Sequence, residues 1–247
     1  VCRRNEAVRR KRLTSETVAA EIVGPYRRAK RRLLLFDYDG TLAPIRSRPE
    51  EAVPSHRLCE LLRTLGTDAA NRVVICSGRD SGTLEKWFGG LPVSLAAEHG
   101  AFYKDRGAWR CNIRPASWDP KLSALLEHFA RKTPRSRIER KQTALAWHYR
   151  EADSWLGQLR AQQLVNALMP LCARLNLHIL QGDKVVEIKS PRFTKGSETL
   201  RLLRQERYDF ILALGDDTTD DDMFAALPPR ALSIKIGNAS EHARYNM

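Results

Sequence analysis

The sequence predicts an α/β protein, a doubly wound parallel sheet of Rossmann-like type interrupted by an inserted α+β module. Three observations predict it. Short apolar runs at 33–36, 73–76, 93–97, 210–214 and 232–236 read as strands buried on both faces. Helical patterns separate most of them, as the crossovers of a parallel sheet require. From about 105 to 190 the strands come closely spaced with no crossover helix, which reads as an antiparallel sheet.

The elements follow in order. Residues 1–30 read as a basic helical extension or linker, capped at Thr14-Ser15-Glu16 and striped by Val18, Ile22 and Val23. Gly24-Pro25 is expected to interrupt it. After the strand at 33–36, Pro44, Pro49 and Pro54 mark a loop. Leu58, Leu61, Leu62 and Leu65 repeat with helical spacing. The strand at 73–76 is followed by a helix carrying Leu84, Trp87 and Phe88, and by the strand at 93–97. The insert holds helices near 119–131 and 154–174 and strands at 137–141, 144–149, 178–181 and 185–189. The α/β pattern then resumes with a helix from Lys195-Gly196, the strand at 210–214, a helix through Met223 and Phe224, and a last strand. The expected organisation is an extension over 1–30, a core over 31–104 and 193–247, and an insert over 105–192.

A chain of 247 residues can bury a full core. No apolar run approaches the ~18 residues of a membrane span, and the start lacks an apolar leader. Five cysteines without a CxxC pair argue against both a zinc site and a disulfide framework. The histidines show no HExxH spacing. Buried free thiols in a cytoplasmic protein are the expectation. The net charge of +13 invites a nucleic-acid reading, but residues 1–32 hold eleven Arg/Lys against three Glu. Most of the excess is therefore local, and no nucleic-acid-binding signature accompanies it. A basic segment of this kind reads as a solvated face or an attraction to an anionic substrate.

Four features share one position, the carboxyl end of a strand or the loop after it. They are Asp37/Asp39, Ser77, Lys195 and Asp216/Asp217/Asp220. Ligands of open α/β sheets bind at that edge. Asp37 and Asp39, spaced by one residue, can converge there, and Gly40 permits a sharp turn. Clustered carboxylates repel and resist ionisation. A hard cation resolves this, and Mg²⁺ favours one or two carboxylates, waters and a substrate phosphate. Lys195 and Ser77 offer the charge and donors a phosphate needs. A carboxylate can attack phosphorus, and a second acid can protonate the leaving oxygen, a contribution of about 10²–10⁴-fold in rate. A calcium loop fails on spacing: counting from Asp216 puts Asp221 at the turn glycine and Leu227 at the bidentate Glu.

Asp37-Tyr38-Asp39-Gly40-Thr41, Ser77-Gly78-Arg79, Lys195-Gly196 and Gly215-Asp216-Asp217 resemble, in order, the four motifs of the haloacid dehalogenase (HAD) superfamily of phosphatases. The resemblance implies Asp37 as nucleophile and Mg²⁺ ligand, and Asp39 as general acid/base and ligand through its carbonyl. Ser77 and Lys195 would hold the phosphoryl group. Asp216 would be the third protein ligand, and Asp217 and Asp220 outer or alternate ligands. Ala97-Glu98-His99-Gly100, Ile138-Glu139-Arg140-Lys141, Trp147-His148-Tyr149-Arg150 and Gly182-Asp183-Lys184-Val185-Val186-Glu187 narrow it to the trehalose-6-phosphate phosphatase family.

That family implies a cap closing over the core. Glu98, His99, Glu139, Lys141, Lys184 and Glu187 would meet the disaccharide, with Gly78 and Arg79 also at the substrate. The family usually has Arg where Thr218 stands, Glu where Asp221 stands and often Asn where Thr194 stands. The basic start resembles the connector behind a fused synthase, so a fragment of a larger bifunctional protein is expected. The expected partners are a sugar phosphate and a fused or associated synthase, not nucleic acid or membrane. The rival readings are another sugar phosphatase, such as one for sucrose phosphate, and a catalytically silent module fused to a synthase. The latter needs a broken constellation, and Asp37, Asp39, Ser77, Lys195 and Asp216 are all present.

Overall fold

The apolar run that precedes the aspartate pair forms the central strand of the molecule. The computed structural model describes residues 11–12, 19–105, 107–111 and 118–247. The strands are β1 (Lys11–Arg12), β2 (Arg32–Phe36), β3 (Asn71–Cys76), β4 (Ser94–Ala97), β5 (Phe102–Lys104), β6 (Arg110–Cys111), β7 (Arg137–Arg140), β8 (Ala144–His148), β9 (His178–Gly182), β10 (Val185–Lys189), β11 (Phe210–Gly215), β12 (Leu232–Lys235) and β13 (Tyr245–Asn246). The α-helices are α1 (Gly24–Arg28), α2 (His56–Thr67), α3 (Ser81–Phe88), α4 (Pro120–Arg131), α5 (Ser154–Leu175), α6 (Lys195–Gln205) and α7 (Thr218–Ala225).

Nine strands form one sheet in the order β1-β13-β12-β11-β2-β3-β4-β5-β6. Pairings from β1 through β4 are parallel, and β5 and β6 run antiparallel at the far edge. Leu33, Leu34, Leu35 and Phe36 of β2 are all buried, because helices cover both faces. Leu34 and Phe36 join one apolar core with Leu62, Ile75, Leu84 and Phe88. Leu33 and Leu35 join a second with Leu202, Met223 and Phe224. The other sheet, β7-β8-β10-β9, is antiparallel throughout. It packs on α4 and α5 through Leu122, Leu126, Trp147, Leu164 and Ile188.

The structure departs from the sequence reading in places. Lys11 and Arg12 are a parallel edge strand beside β13, not part of a helix. Thr14, Ser15, Glu16 and Val18 lie outside the described residues. Gly24-Pro25 does not interrupt the preceding helical turn: the π turn over Ala19–Val23 runs straight into α1, which Gly24-Pro25 opens. Proline is tolerated in a first helical turn because its missing N–H is not needed there. Three short strands, β5, β6 and β13, carry too few residues to show a period. The large sheet thus runs past residue 104 to Cys111 before the antiparallel module begins. Leu61 of α2 is exposed, since the buried stripe there is only as wide as Leu58 and Leu62. Cys59, Cys76 and Cys172 are free thiols, but only Cys76 and Cys172 of these are buried, and Cys111 is exposed. Among the described residues, no helix is long and apolar enough to cross a membrane.

Candidate active site

Sheet register brings the predicted residues together. Phe36 of β2 sits level with Ile75 of β3 and Leu214 of β11. One step further, Asp37 donates its N–H to the Leu214 carbonyl at 3.0 Å. Asp37, Ser77 and Asp216 therefore leave three adjacent parallel strands at one edge. Lys195 opens α6 from outside the sheet. Its Nζ donates to Asp37 Oδ1 at 2.6 Å and to Asp220 Oδ1 at 2.7 Å, all buried. Breaking a buried pair of this kind costs about 3–5 kcal/mol, because one charge is left uncompensated.

Asp37, Asp216 and Asp220 each offer a carboxylate oxygen within 4.8 Å of the others. Burial, then Asp220 and Asp216 against the pull of Lys195, raises Asp37 well above the ordinary carboxylate range. Burial and Asp220 raise Asp216 as well. For Lys195, Asp220 and Asp37 more than offset burial, and the ammonium is held charged. One lysine thus faces three carboxylates, and a hard cation would relieve the remaining charge. Gly40, at φ +85°, lets the Asp216 carboxylate lie close: a Cβ there would fall 1.9 Å from Asp216 Oδ2. Thr41 Oγ1 donates to Asp216 Oδ1 at 3.3 Å. Asp220 also accepts from the N–H of Asp216 and of Asp217, so it shapes the loop that presents Asp216. Asp217 is the N-cap of α7, its carboxylate accepting from Thr218 N at 2.6 Å.

Asp37 and Asp39 do not share partners. Arg79 grips Asp39 with Nε at 2.7 Å from Oδ2 and Nη2 at 2.5 Å from Oδ1. The guanidinium lies 4.5 Å from the Trp87 ring centre, which fixes its plane. Ser77 is buried, and its hydroxyl accepts from Arg79 N at 3.2 Å.

Asp37, Asp39, Ser77, Gly78, Arg79, Lys195, Asp216 and Asp217 line one cavity of about 1380 Å³. The antiparallel sheet supplies much of the opposite wall. There Lys141 Nζ donates to Glu187 Oε2 at 2.8 Å and to the Gly78 carbonyl at 2.9 Å. Lys141 and His99 pull Glu187 far below the ordinary carboxylate range despite its burial. His99 Nε2 lies 3.4 Å from Glu187 Oε1, and burial pushes the imidazole down to about 4, so it is neutral. His99 Nδ1 and Glu187 Oε1 are buried without a hydrogen-bond partner. Orphaned polar atoms on a cavity wall are what a polyhydroxyl ligand would satisfy. Glu139 joins the wall, paired with His148 Nε2 at 2.7 Å.

The trehalose-phosphatase family model matches residues 35–245. The chain belongs to the trehalose-phosphatase family. It is 43% identical over 228 residues to the trehalose-phosphatase of Zygosaccharomyces rouxii, covering 82% of this chain and 25% of that one. It is 38% identical over 247 residues to the bifunctional trehalose-6-phosphate synthase/phosphatase of Thermoproteus tenax, covering 99% of this chain and 34% of that one. It spans about a quarter to a third of the length of these relatives. The C-terminal domain of trehalose-6-phosphate phosphatase from C. albicans superposes with a TM-score of 0.84 at 35% identity, over 91% of this chain and 90% of that one. A haloacid dehalogenase-like hydrolase from Bacteroides thetaiotaomicron shares the fold, with a TM-score of 0.61 at 17% identity over 88% of this chain and 94% of that one.

Within this member of the trehalose-phosphatase family, two residues expected at the sugar, Glu98 and Lys184, do not line the cavity. The Glu98 carboxylate instead receives the N–H groups of Gln142 (3.2 Å) and Thr143 (2.7 Å) and the Thr143 hydroxyl, and so clasps the two sheets together. Lys184 points away to Ser154 Oγ at 3.0 Å. Sequence reasoning missed Thr143, Lys189 and Lys235, and gave His148 no role beyond its motif. Lys189 is buried near Glu187 and Lys195, and desolvation drops it to about 8. Only its place on the face of β10 shared with Glu187 could have pointed to it.

Proposed function

We propose that this chain hydrolyses trehalose 6-phosphate to trehalose and phosphate through an aspartyl-phosphate on Asp37. One observation carries the reading. The buried Asp37 carboxylate, beside Asp216 and gripped by Lys195, opens into the cavity that Lys141 and Glu187 line from the other sheet. Lys195 and the Ser77 hydroxyl hold the phosphoryl oxygens. Asp37 attacks phosphorus, and the bond to the sugar oxygen breaks. Asp39, aimed by Arg79, gives that oxygen its proton. Asp39 then takes a proton from water, which attacks phosphorus and frees Asp37.

The resident metal in this reading would be Mg²⁺, which Asp37, Asp216 and the Asp39 carbonyl would hold, with Asp217 and Asp220 as outer or alternate ligands. It would supply neutralisation of charge on the transferring group. The antiparallel module, within residues 118–192, acts as the cap over the core that carries the nine-stranded sheet. Glu139, Lys141, His99 and Glu187 read the sugar hydroxyls, because a wrong sugar leaves these groups unpaired.

A phosphate-release panel over trehalose 6-phosphate, sucrose 6-phosphate, glucose 6-phosphate and an aryl phosphate, with and without Mg²⁺, tests this. The expected result is Mg²⁺-dependent release with trehalose 6-phosphate far ahead. Equal rates on all four, or a preference for another sugar, would overturn the substrate assignment.

A further inference from the structure

Lys235 ends β12 in register with Gly215, the last residue before the acidic loop. Its side chain is 4% exposed. Nζ donates to the Asp217 carbonyl and lies 3.0 Å from Asp221 Oδ1. The neighbouring Ile236 N–H donates to the Gly215 carbonyl at 2.9 Å. The aspartate-rich loop is therefore held by two lysines with different tasks. Lys195 binds carboxylates of the triad itself. Lys235 takes a backbone carbonyl one residue past Asp216, together with a carboxylate outside the triad.

We propose that Lys235 is a positioning residue for cation binding: it fixes the Asp216–Asp217 backbone so that Asp216 meets Asp37. The proposal rests on the metal reading above. Its sign is informative. By Coulomb's law alone, removing a positive charge near the triad would tighten cation binding. Weaker binding after its removal can therefore only report loss of loop position.

Calorimetric titration with Mg²⁺, alongside thermal melts, tests this on the wild type, Lys235→Met, Lys235→Gln and Lys235→Arg. Loss of an outer partner of a metal ligand costs about 10–100-fold in affinity, and Lys235→Met is expected in that range. Lys235→Gln, which keeps a donor for the carbonyl, is expected to lose less and serves if Met impairs folding. Lys235→Arg should restore most of the affinity. Unchanged or tighter Mg²⁺ binding by folded Lys235→Met or Lys235→Gln overturns the proposal, as does a wild type that binds no Mg²⁺. A wild type whose Mg²⁺ binding depends on Lys235 but which releases no phosphate from trehalose 6-phosphate leaves this inference standing and removes the substrate reading.

Discussion

At the Asp37 end of the cavity most groups come from loops leaving one parallel sheet, whereas at the Glu187 end they come from two sheets. Asp37, Ser77 and Asp216 follow adjacent strands, so backbone hydrogen bonds set their spacing. His99 rides on the loop after β4, while Lys141 sits in the turn between β7 and β8 and Glu187 on β10 of the antiparallel sheet. Their meeting depends on the seam, where Glu98 receives Gln142 and Thr143 and Lys141 reaches Gly78. Under the proposed function, the first end would serve one chemical step on any phosphate ester, and the second would decide which ester stays.

Variants at the two ends separate them most clearly. Asp37→Asn is expected to lose about 10⁴-fold or more on every phosphate ester, as removal of a nucleophile does. Similar residual rates with and without the substitution would remove Asp37 from that role. Lys141→Met should lose about a hundredfold on trehalose 6-phosphate, the worth of a charge-assisted hydrogen bond, with little change on an aryl phosphate. Equal losses on both would make the Glu187 end part of the chemistry.

The pH response sharpens the contrast further. His99 titrates at about 4 in the fold against 6.5 unexposed to burial, so the unfolded chain takes up the proton first. Stability should fall as pH drops from about 6.5 toward 4, by up to ~1.4 kcal/mol per pH unit. His99→Asn should flatten that window in urea melts at pH 7 and pH 5. An unchanged slope would show that other groups set it.

The smallest effects belong to the outer rim of the seam. Arg48 meets Glu151 at 3.1 Å and Arg137 meets Glu50 at 3.5 Å, all exposed or half-exposed. Glu151→Ala and Glu50→Ala should each change stability by ~1 kcal/mol or less. A loss above about 2 kcal/mol in denaturant melts would move the strength of the seam from Glu98 to the rim.

Legibility followed the same division. Leu33 to Phe36 announced a buried strand, because four apolar side chains in a row need cover on both faces. The short strands β5, β6 and β13 were invisible, since two or three residues cannot display a period. Gly24-Pro25 misled because proline suits a helix start as well as a break. The Asp37, Ser77 and Asp216 motifs each sit at a strand end, where local sequence already fixes direction.

By itself the sequence determined which strands alternate with helices, which acids and which lysine stand at their ends, and that an antiparallel insert divides the core. These depend on local apolar period and turn chemistry. Only the tertiary structure decided that Glu98 clasps the seam and Lys184 faces away. The same holds for Asp39, turned to Arg79, and for Lys235 beneath the Asp216 loop. Those outcomes depend on contacts between residues distant in sequence, set by strand register and by how one sheet lies against the other.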